Sequence, residues 1–468
     1  MLYYLVVFIA VSLLAIGIIL LRKPFFSFAY ATSSLLNSML ESNLDEATKQ
    51  KKHLQSLVNL LSKFSQLIIL IAIAFGISIL PIILYTQFTH ISIHNLDASS
   101  LYFYLSIILG SGVIIVYPFF KKNKSKDYSE WSKLLHRMIL DNYNISRSLF
   151  SLEKKLFKKK IKDDYKDFVI VSGLARAGTT ALTNLLFESN KFHSLSYDNM
   201  PFVLSVNLWR KVYHPRKNKL KQRAHGDNIM FGYKTIEALE EHFFKVFLRD
   251  KFISEQTLNE HEIDNQTYES YLAYQQLINF YNNNSIYLTK NNNIILRYKS
   301  LRKHNPDFKI LLIFRYPVEQ AFSLLNQHKR FSQLHSEDQF ALDYMNWLGH
   351  HEFGLNHKPF NLSPIDNRKQ YDTRSINYWL TLWISYHAKI LTLIDDKNLH
   401  LIEYADLCNK PNELLSKIGV ELNLDLKTEQ PKEPYKKESN LPEMNINPKL
   451  MEQSEWIYNE LTKYKLII

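Results

Sequence analysis

The stretch Phe168-Val169-Ile170-Val171-Ser172-Gly173-Leu174-Ala175-Arg176-Ala177-Gly178-Thr179-Thr180 decides how the chain folds. Its first residues are apolar and β-branched, as in a strand buried on both faces. Gly173 and Gly178 follow, two of only eleven glycines in the chain, and Leu182, Leu185 and Leu186 then recur at helical spacing. Strand, glycine loop and helix in this order make a phosphate cradle, because the N–H groups of the loop and of the helix N-terminus point at one place and carry partial positive charge. The spacing matches the nucleoside-triphosphate loop except that Thr179 stands where its lysine belongs. The group that reaches the β and γ phosphates is therefore missing, which argues against ATP chemistry and for a terminal 5′-phosphate. Arg176 is a forked donor for it, and the Thr179 and Thr180 hydroxyls are further donors.

Working outward, Phe308 to Phe314 is a second buried-strand run that ends in Arg315-Tyr316-Pro317, with Pro317 suited to open a helix and Ser323 eight residues beyond Arg315. Ligands of open α/β sheets bind outside the carboxyl ends of the strands, so Arg315 and Ser323 can converge on a second phosphate. Ser285 to Thr289 reads as a strand ending at Lys290, and a helix from Ile294 to His304 leads on to the Arg315 strand as a βαβ unit. Lys290 thus joins the same edge of the sheet. The expected fold class is α/β, a phosphate-loop type of parallel sheet flanked by helices.

Together, Gly173 through Thr180, Lys290, and Arg315 through Ser323 resemble the sulfotransferase superfamily that uses 3′-phosphoadenosine 5′-phosphosulfate (PAPS). The likeness runs from about Phe168 to Leu424, where Leu401 to Leu407 is similar to the family's strand ending in a Tyr-Glu-Asp-Leu type sequence. The resemblance implies that Gly173, Arg176, Ala177, Gly178, Thr179 and Thr180 hold the 5′-phosphosulfate end. It gives the 3′-phosphate to Arg315 and Ser323, and assistance of the leaving group to Lys290. The family often has Ser at the position of Ala177, Asp at that of Tyr316 and Glu at that of Ala405; in its cytosolic branch a catalytic His stands where this chain has Asn292. The base must then come from elsewhere. Candidates are Asp198, where membrane-bound branches place an acid after the loop arginine, the pair His225 and Asp227, and Glu237. His350-His351-Glu352 hints at a metal, but adjacent residues of a helix face apart and sulfuryl transfer needs no ion, so no metal is expected.

The N-terminal region is of another kind. Leu2 to Leu21, Leu67 to Tyr85 and Leu101 to Phe120 are runs without a charged side chain, each long enough as a helix to cross a hydrocarbon core. No small-x-small cleavage site follows the first, only Arg22-Lys23-Pro24. The first connection holds Arg22, Lys23, Lys49, Lys51, Lys52 and Lys63, that from about Thr86 to Ser100 holds no Lys or Arg, and Lys121, Lys122, Lys124 and Lys126 follow the third run. Because Lys and Arg stay on the cytoplasmic side, the N-terminus is expected outside and the C-terminal region in the cytoplasm. Apolar residues at helical spacing between Ala31 and Phe64 suggest that the first connection is an amphipathic hairpin.

The chain has 468 residues, a net charge of +12 and one cysteine, Cys408, which exclude a disordered tail, a collagen and a disulfide scaffold. Residues 121–166 alone hold 14 basic and 6 acidic groups, and their cluster Lys154, Lys155, Lys158, Lys159 and Lys160 suits anionic headgroups as well as it suits a solvated linker face. With the charge so localised, nucleic acid is not expected as a partner. The expected organisation is a three-span all-α transmembrane region over residues 1–120, a basic helical linker over 121–166 and a sulfotransferase domain over 167–468. The expected function is transfer of a sulfuryl group from PAPS to a hydroxyl or amine of a glycan, glycolipid or lipid-linked acceptor at a bacterial inner membrane, with membrane lipids as surroundings. The alternatives are a non-catalytic membrane scaffold with a degenerate phosphate loop, or a kinase-like enzyme.

Overall fold

The computed structural model describes residues 2–40, 46–89, 100–112, 129–158, 161, 165–213, 221–222, 230–231, 236, 238–281, 285–362, 370–434 and 441–468. The chain divides into two compact units, Met1–Asp141 and Asn142–Ile468.

In the first unit, α1 (Leu2–Leu40) and α2 (Glu46–Thr89) are helices of 39 and 44 residues, long and apolar enough to cross a membrane. Each apolar run and its half of the expected amphipathic hairpin form one continuous helix, with Pro24 inside α1 and Pro81 inside α2. Small residues let these helices approach closely. A Cβ added at Gly17 would lie 2.8 Å from Ala74 Cβ, and one at Gly110 would lie 2.9 Å from Val11 Cβ. Gly110 belongs to α3 (Leu101–Ser111), the described part of the third apolar run; the remainder, from residue 113, lies outside the described residues. Three spans are thus not established, whereas two apolar helices that suit a membrane are. Near the other end Ser38 Oγ meets His53 Nδ1 at 3.1 Å. There α4 (Glu130–Leu140) packs Trp131 edge-on against Phe26 and sets Arg137 over the Tyr30 ring.

The second unit begins with α5 (Tyr143–Leu156) and is organised by a five-stranded parallel sheet. Its strands are β1 (Phe168–Ser172), β2 (Phe192–His193), β3 (Ile286–Lys290), β4 (Lys309–Phe314) and β5 (Leu399–Glu403), in the spatial order β2-β3-β1-β4-β5. All five residues of β1 are buried, which explains its unbroken apolar run: a central parallel strand has both faces covered by helices. The strands flanking β1 are β3 and β4, so the connection between them passes β1 rather than pairing its own two ends. That connection is a 3₁₀ turn, Asn292–Leu296, followed by α7 (Tyr298–His304), instead of one helix from Ile294. The break falls at Arg297, whose guanidinium is buried in a two-pronged ion pair with Glu241 at 2.6 and 2.7 Å. Behind the phosphate loop runs α6 (Thr179–Phe187), and α8 (Pro317–Glu337), α9 (Ile376–Leu391) and α10 (Pro448–Lys463) complete the elements that bear on the site. The sheet–helix core beneath the loop joins Val171, Ala177, Leu182, Leu311, Ile313 and Ile402.

Candidate active site

Parallel register brings the carboxyl ends of β1, β3 and β4 to one edge, with Val171 opposite Lys290 and Ser172 opposite Leu312. The loop leaving β1 is pressed onto β4: a Cβ at Gly173, where φ is +156°, would come within 2.4 Å of Ile313 O. Gly178 closes the loop at φ +106°, where a Cβ would lie 2.5 Å from the Tyr404 ring. Only glycine fits there, by backbone angle and by space. Gly178 is also the cap of α6 and offers no side-chain bond to the first-turn N–H groups, which leaves that helix end suited to an anion.

Arg176 adopts the left-handed conformation at φ +68°, uncommon for a residue with a side chain. Its Nε donates to Ser323 Oγ at 3.1 Å, so the loop arginine and the α8 serine, 147 residues apart, meet. On the opposite flank Lys290, 6% exposed at the end of β3, donates from Nζ to Thr180 Oγ1 at 3.0 Å. Asn291, next in the chain, donates to Glu240, a buried carboxylate that also receives the hydroxyls of Tyr271 at 2.9 Å and Tyr287 at 2.7 Å. Burial raises the Glu240 pKa, while these donors and the charge of Arg297 oppose it.

Arg315 at the end of β4 donates from Nε to Glu319 at 3.2 Å and lies over the Tyr404 ring, 4.7 Å from its centroid. The Tyr404 phenol is pushed up to about 12 by burial and by Cys408, against the pull of Arg315 and Arg176. Arg176, Arg315 and Ser323 thus form one cationic corner around that ring. Ala177 contributes no free donor: its N–H bonds Leu174 O at 3.1 Å and its methyl sits in the core. Thr179 is buried at the first position of α6.

The corner depends on two residues without a motif of their own. Gln320 Nε2 donates to both Leu174 O (3.1 Å) and Ala175 O (3.0 Å), and Trp383 Nε1 bridges Arg315 O and Gln320 Oε1. A buried Gln one turn past a strand-end arginine is the only sequence signal for the first. Tyr316, where the resembled family often has Asp, donates to Glu455 of α10 at 3.0 Å and packs edge-on against Tyr458, so this departure ties down a C-terminal helix.

The candidate bases fare differently. Asp198 lies in the turn Tyr197–Asn199, accepts from Ser196 Oγ at 2.5 Å, and has no hydrogen bond or ion pair to the loop among the described residues. His225, Asp227 and Glu237 lie outside the described residues, as do Lys159 and Lys160 of the basic cluster. Asn292, at the place of the cytosolic branch's histidine, keeps a buried Oδ1 without a protein partner.

A parallel sheet whose strand ends gather a glycine loop, two arginines, a lysine and hydroxyls defines a phosphate-handling group-transfer protein. Residues 168–358 match the model of the sulfotransferase family, so this region is a sulfotransferase domain of that superfamily. No curated protein sequence matches it. Among solved structures it is similar to a sulfotransferase of Mycobacterium tuberculosis H37Rv, at 17% identity over 73% of this chain and 88% of that one, with a TM-score of 0.36. A sulfotransferase of Mycobacterium avium matches at 14% identity over 81% and 86%, with a TM-score of 0.38, and one of Alicyclobacillus acidocaldarius at 15% over 64% and 94%, with a TM-score of 0.32. The assignment rests on the family match and the loop, not on these superpositions.

Proposed function

We propose that this chain transfers a sulfuryl group from PAPS to a hydroxyl or amine of a membrane-associated acceptor such as a glycan, glycolipid or lipid-linked sugar. One observation carries the reading: a phosphate loop without the nucleotide lysine has Arg176 bonded to Ser323 on one flank and Lys290 bonded to Thr180 on the other. The donor set fits a ligand with two separated anionic ends. The loop from Gly173 to Gly178, through N–H groups other than that of Ala177, and Arg176, Thr179 and Thr180 take the 5′-phosphosulfate, while Arg315 and Ser323 take the 3′-phosphate.

In the reaction the acceptor oxygen or nitrogen bonds to sulfur as the bond from sulfur to the bridging oxygen breaks. That oxygen keeps the electron pair, and adenosine 3′,5′-bisphosphate leaves. The transition state is loose, so catalysis is positioning and charge stabilisation, as in phosphoryl transfer. Lys290 and Arg176 neutralise the charge that grows on the bridging oxygen, and a base takes the acceptor proton late. Asp198, His225 and Asp227 are the bases that the sequence nominates.

The two apolar helices hold the enzyme at a membrane, and the Lys and Arg asymmetry puts the N-terminus outside and the transferase unit in the cytoplasm of a bacterial cell, where the donor is made. The test is direct. The purified chain, incubated with radiolabelled PAPS and a membrane extract, should transfer label, and adenosine 3′,5′-bisphosphate should protect it thermally where ADP does not. At a hundred times its dissociation constant the protection is about 2.7 kcal/mol. Equal protection by ADP would favour the kinase-like alternative. No protection and no transfer would leave the scaffold.

A further inference from the structure

Beside the phosphate loop lies a narrow cleft, partly open to solvent. Leu174 and Ala175 of the loop form one wall, and Asn293, three residues past Lys290, forms part of another. An acceptor must reach sulfur in line, from the side away from the leaving oxygen, so its site has to border both the loop and the Lys290 strand end. This cleft does. The rest of its lining is chiefly apolar, including Leu258, Leu324, Phe360 and Trp379. A bare sugar placed there would lose hydration at more hydroxyls than the few polar groups of the lining could satisfy. An apolar body would gain from the same burial.

The polar groups of the cleft are unequal. Lys358 Nζ is held by the carbonyls of Ser254 and Glu255 at 2.7 and 2.5 Å, and His357 Nε2 meets Tyr378 Oη at 2.9 Å. The hydroxyl-bearing Ser385 and Tyr386 also line the cleft, as do Glu352 and His351. Nδ1 of His351 donates to Asn356 O at 3.1 Å, which puts the lone pair on Nε2, a buried nitrogen without a protein partner. Burial raises the Glu352 pKa, but the nearby His350, 3.6 Å away, a backbone N–H and His351 outweigh it and hold the carboxyl down to about 2. Glu352 is therefore ionised, and both groups can only accept a proton. That end of the cleft calls for an O–H or N–H.

Resting on the sulfotransferase reading above, we infer that this cleft holds the acceptor, that the acceptor is an amphiphile with an apolar body and one hydroxyl or amine, and that Glu352 receives the proton. A weak base suffices, because an acceptor oxygen already bonding to sulfur is strongly acidic by the time its proton departs.

The test uses the full chain, radiolabelled PAPS and a membrane extract. Product label should partition into the organic phase. Ser385→Phe, which fills the cleft from α9, should abolish transfer while adenosine 3′,5′-bisphosphate still protects thermally as in the wild type. Glu352→Gln should lower kcat about a hundredfold with little change in KM. Label confined to the aqueous phase, or full activity in Ser385→Phe, would overturn the acceptor site; full activity in Glu352→Gln would overturn the role of that carboxylate. If the wild type neither transfers label nor gains protection from the bisphosphate, the sulfotransfer reading itself fails, and this inference falls with it.

Discussion

The two flanks of the phosphate loop are built to different standards. On the β3 flank Lys290 is almost sealed off and stands beside Asn291, which is locked onto the Glu240–Tyr271–Tyr287 network. On the β4 flank Arg315 lies over an aromatic ring and shares its charge with Glu319, both side chains keeping contact with solvent at 18% and 10% exposure. A fixed cation in a dry corner can stabilise charge that appears only in the transition state, because it needs no reorganisation when the charge arrives. A more exposed and partly compensated arginine is better suited to ground-state affinity. The proposed roles, Lys290 for rate and Arg315 for binding, follow that contrast.

Lys290→Ala is the strongest way to break it. Turnover should fall about 10²–10³-fold, while the dissociation constant for adenosine 3′,5′-bisphosphate moves no more than a few-fold. Single-turnover kinetics beside calorimetry would tell, and a loss shared equally between rate and affinity would erase the distinction between the flanks.

Arg315→Ala should do the reverse. Losing a charge-assisted contact to the 3′-phosphate should weaken the bisphosphate by about 1.5–3 kcal/mol, roughly ten- to a hundredfold, and leave adenosine 5′-monophosphate unaffected. Titration with the two nucleotides checks it. An equal loss for both would move Arg315 away from the 3′ end.

Acid should destabilise the packing behind the β4 flank. His387 is buried against Trp383, with ring centroids 4.0 Å apart and Nδ1 donating to Trp383 O at 2.8 Å, and Trp383 in turn holds Arg315 O and Gln320. Burial lowers the His387 pKa to about 3, so the folded protein keeps it neutral while the unfolded chain protonates it below about 6.5. Its contribution is complete above that pH and is lost on acidification toward the folded value, at about 1.4 kcal/mol per pH unit. Melting temperature should fall from pH 7 to pH 5, and less steeply in His387→Phe. An unchanged slope would remove His387 from the account.

What could be read from the sequence follows the same division. Gly173 to Thr180, Lys290 and the Arg315–Ser323 spacing were legible because each motif is local: a strand end, a turn and a helix start fix the side chains within ten residues. Gln320 and Trp383 were not, since their partners lie 145 and 68 residues away and depend on how α8 and α9 pack. The same holds for Tyr316, which departs from the resembled pattern only because α10 supplies Glu455 and Tyr458. In the N-terminal unit, composition revealed apolar helices but not that α1 runs on through Pro24 to Leu40, because propensity marks a proline as a break and helix packing overrides it.

The smallest effect is the sharpest test of how Arg315 is compensated. Glu319 holds Arg315 through an i,i+4 ion pair at 3.2 Å, and as a partly exposed pair it should contribute only about 0.3–0.5 kcal/mol to stability. Glu319→Gln keeps an oxygen that can accept from Arg315 Nε, so the guanidinium stays placed, but it removes a negative charge near the proposed 3′-phosphate. Melting temperature should barely change, and the bisphosphate should bind about two- to threefold more tightly, an advantage that fades as salt screens the site. Weaker binding would mean that the carboxylate positions Arg315 in a way an amide cannot. The β4 flank would then be as preorganised as the β3 flank, and the contrast between them would have to rest on burial alone.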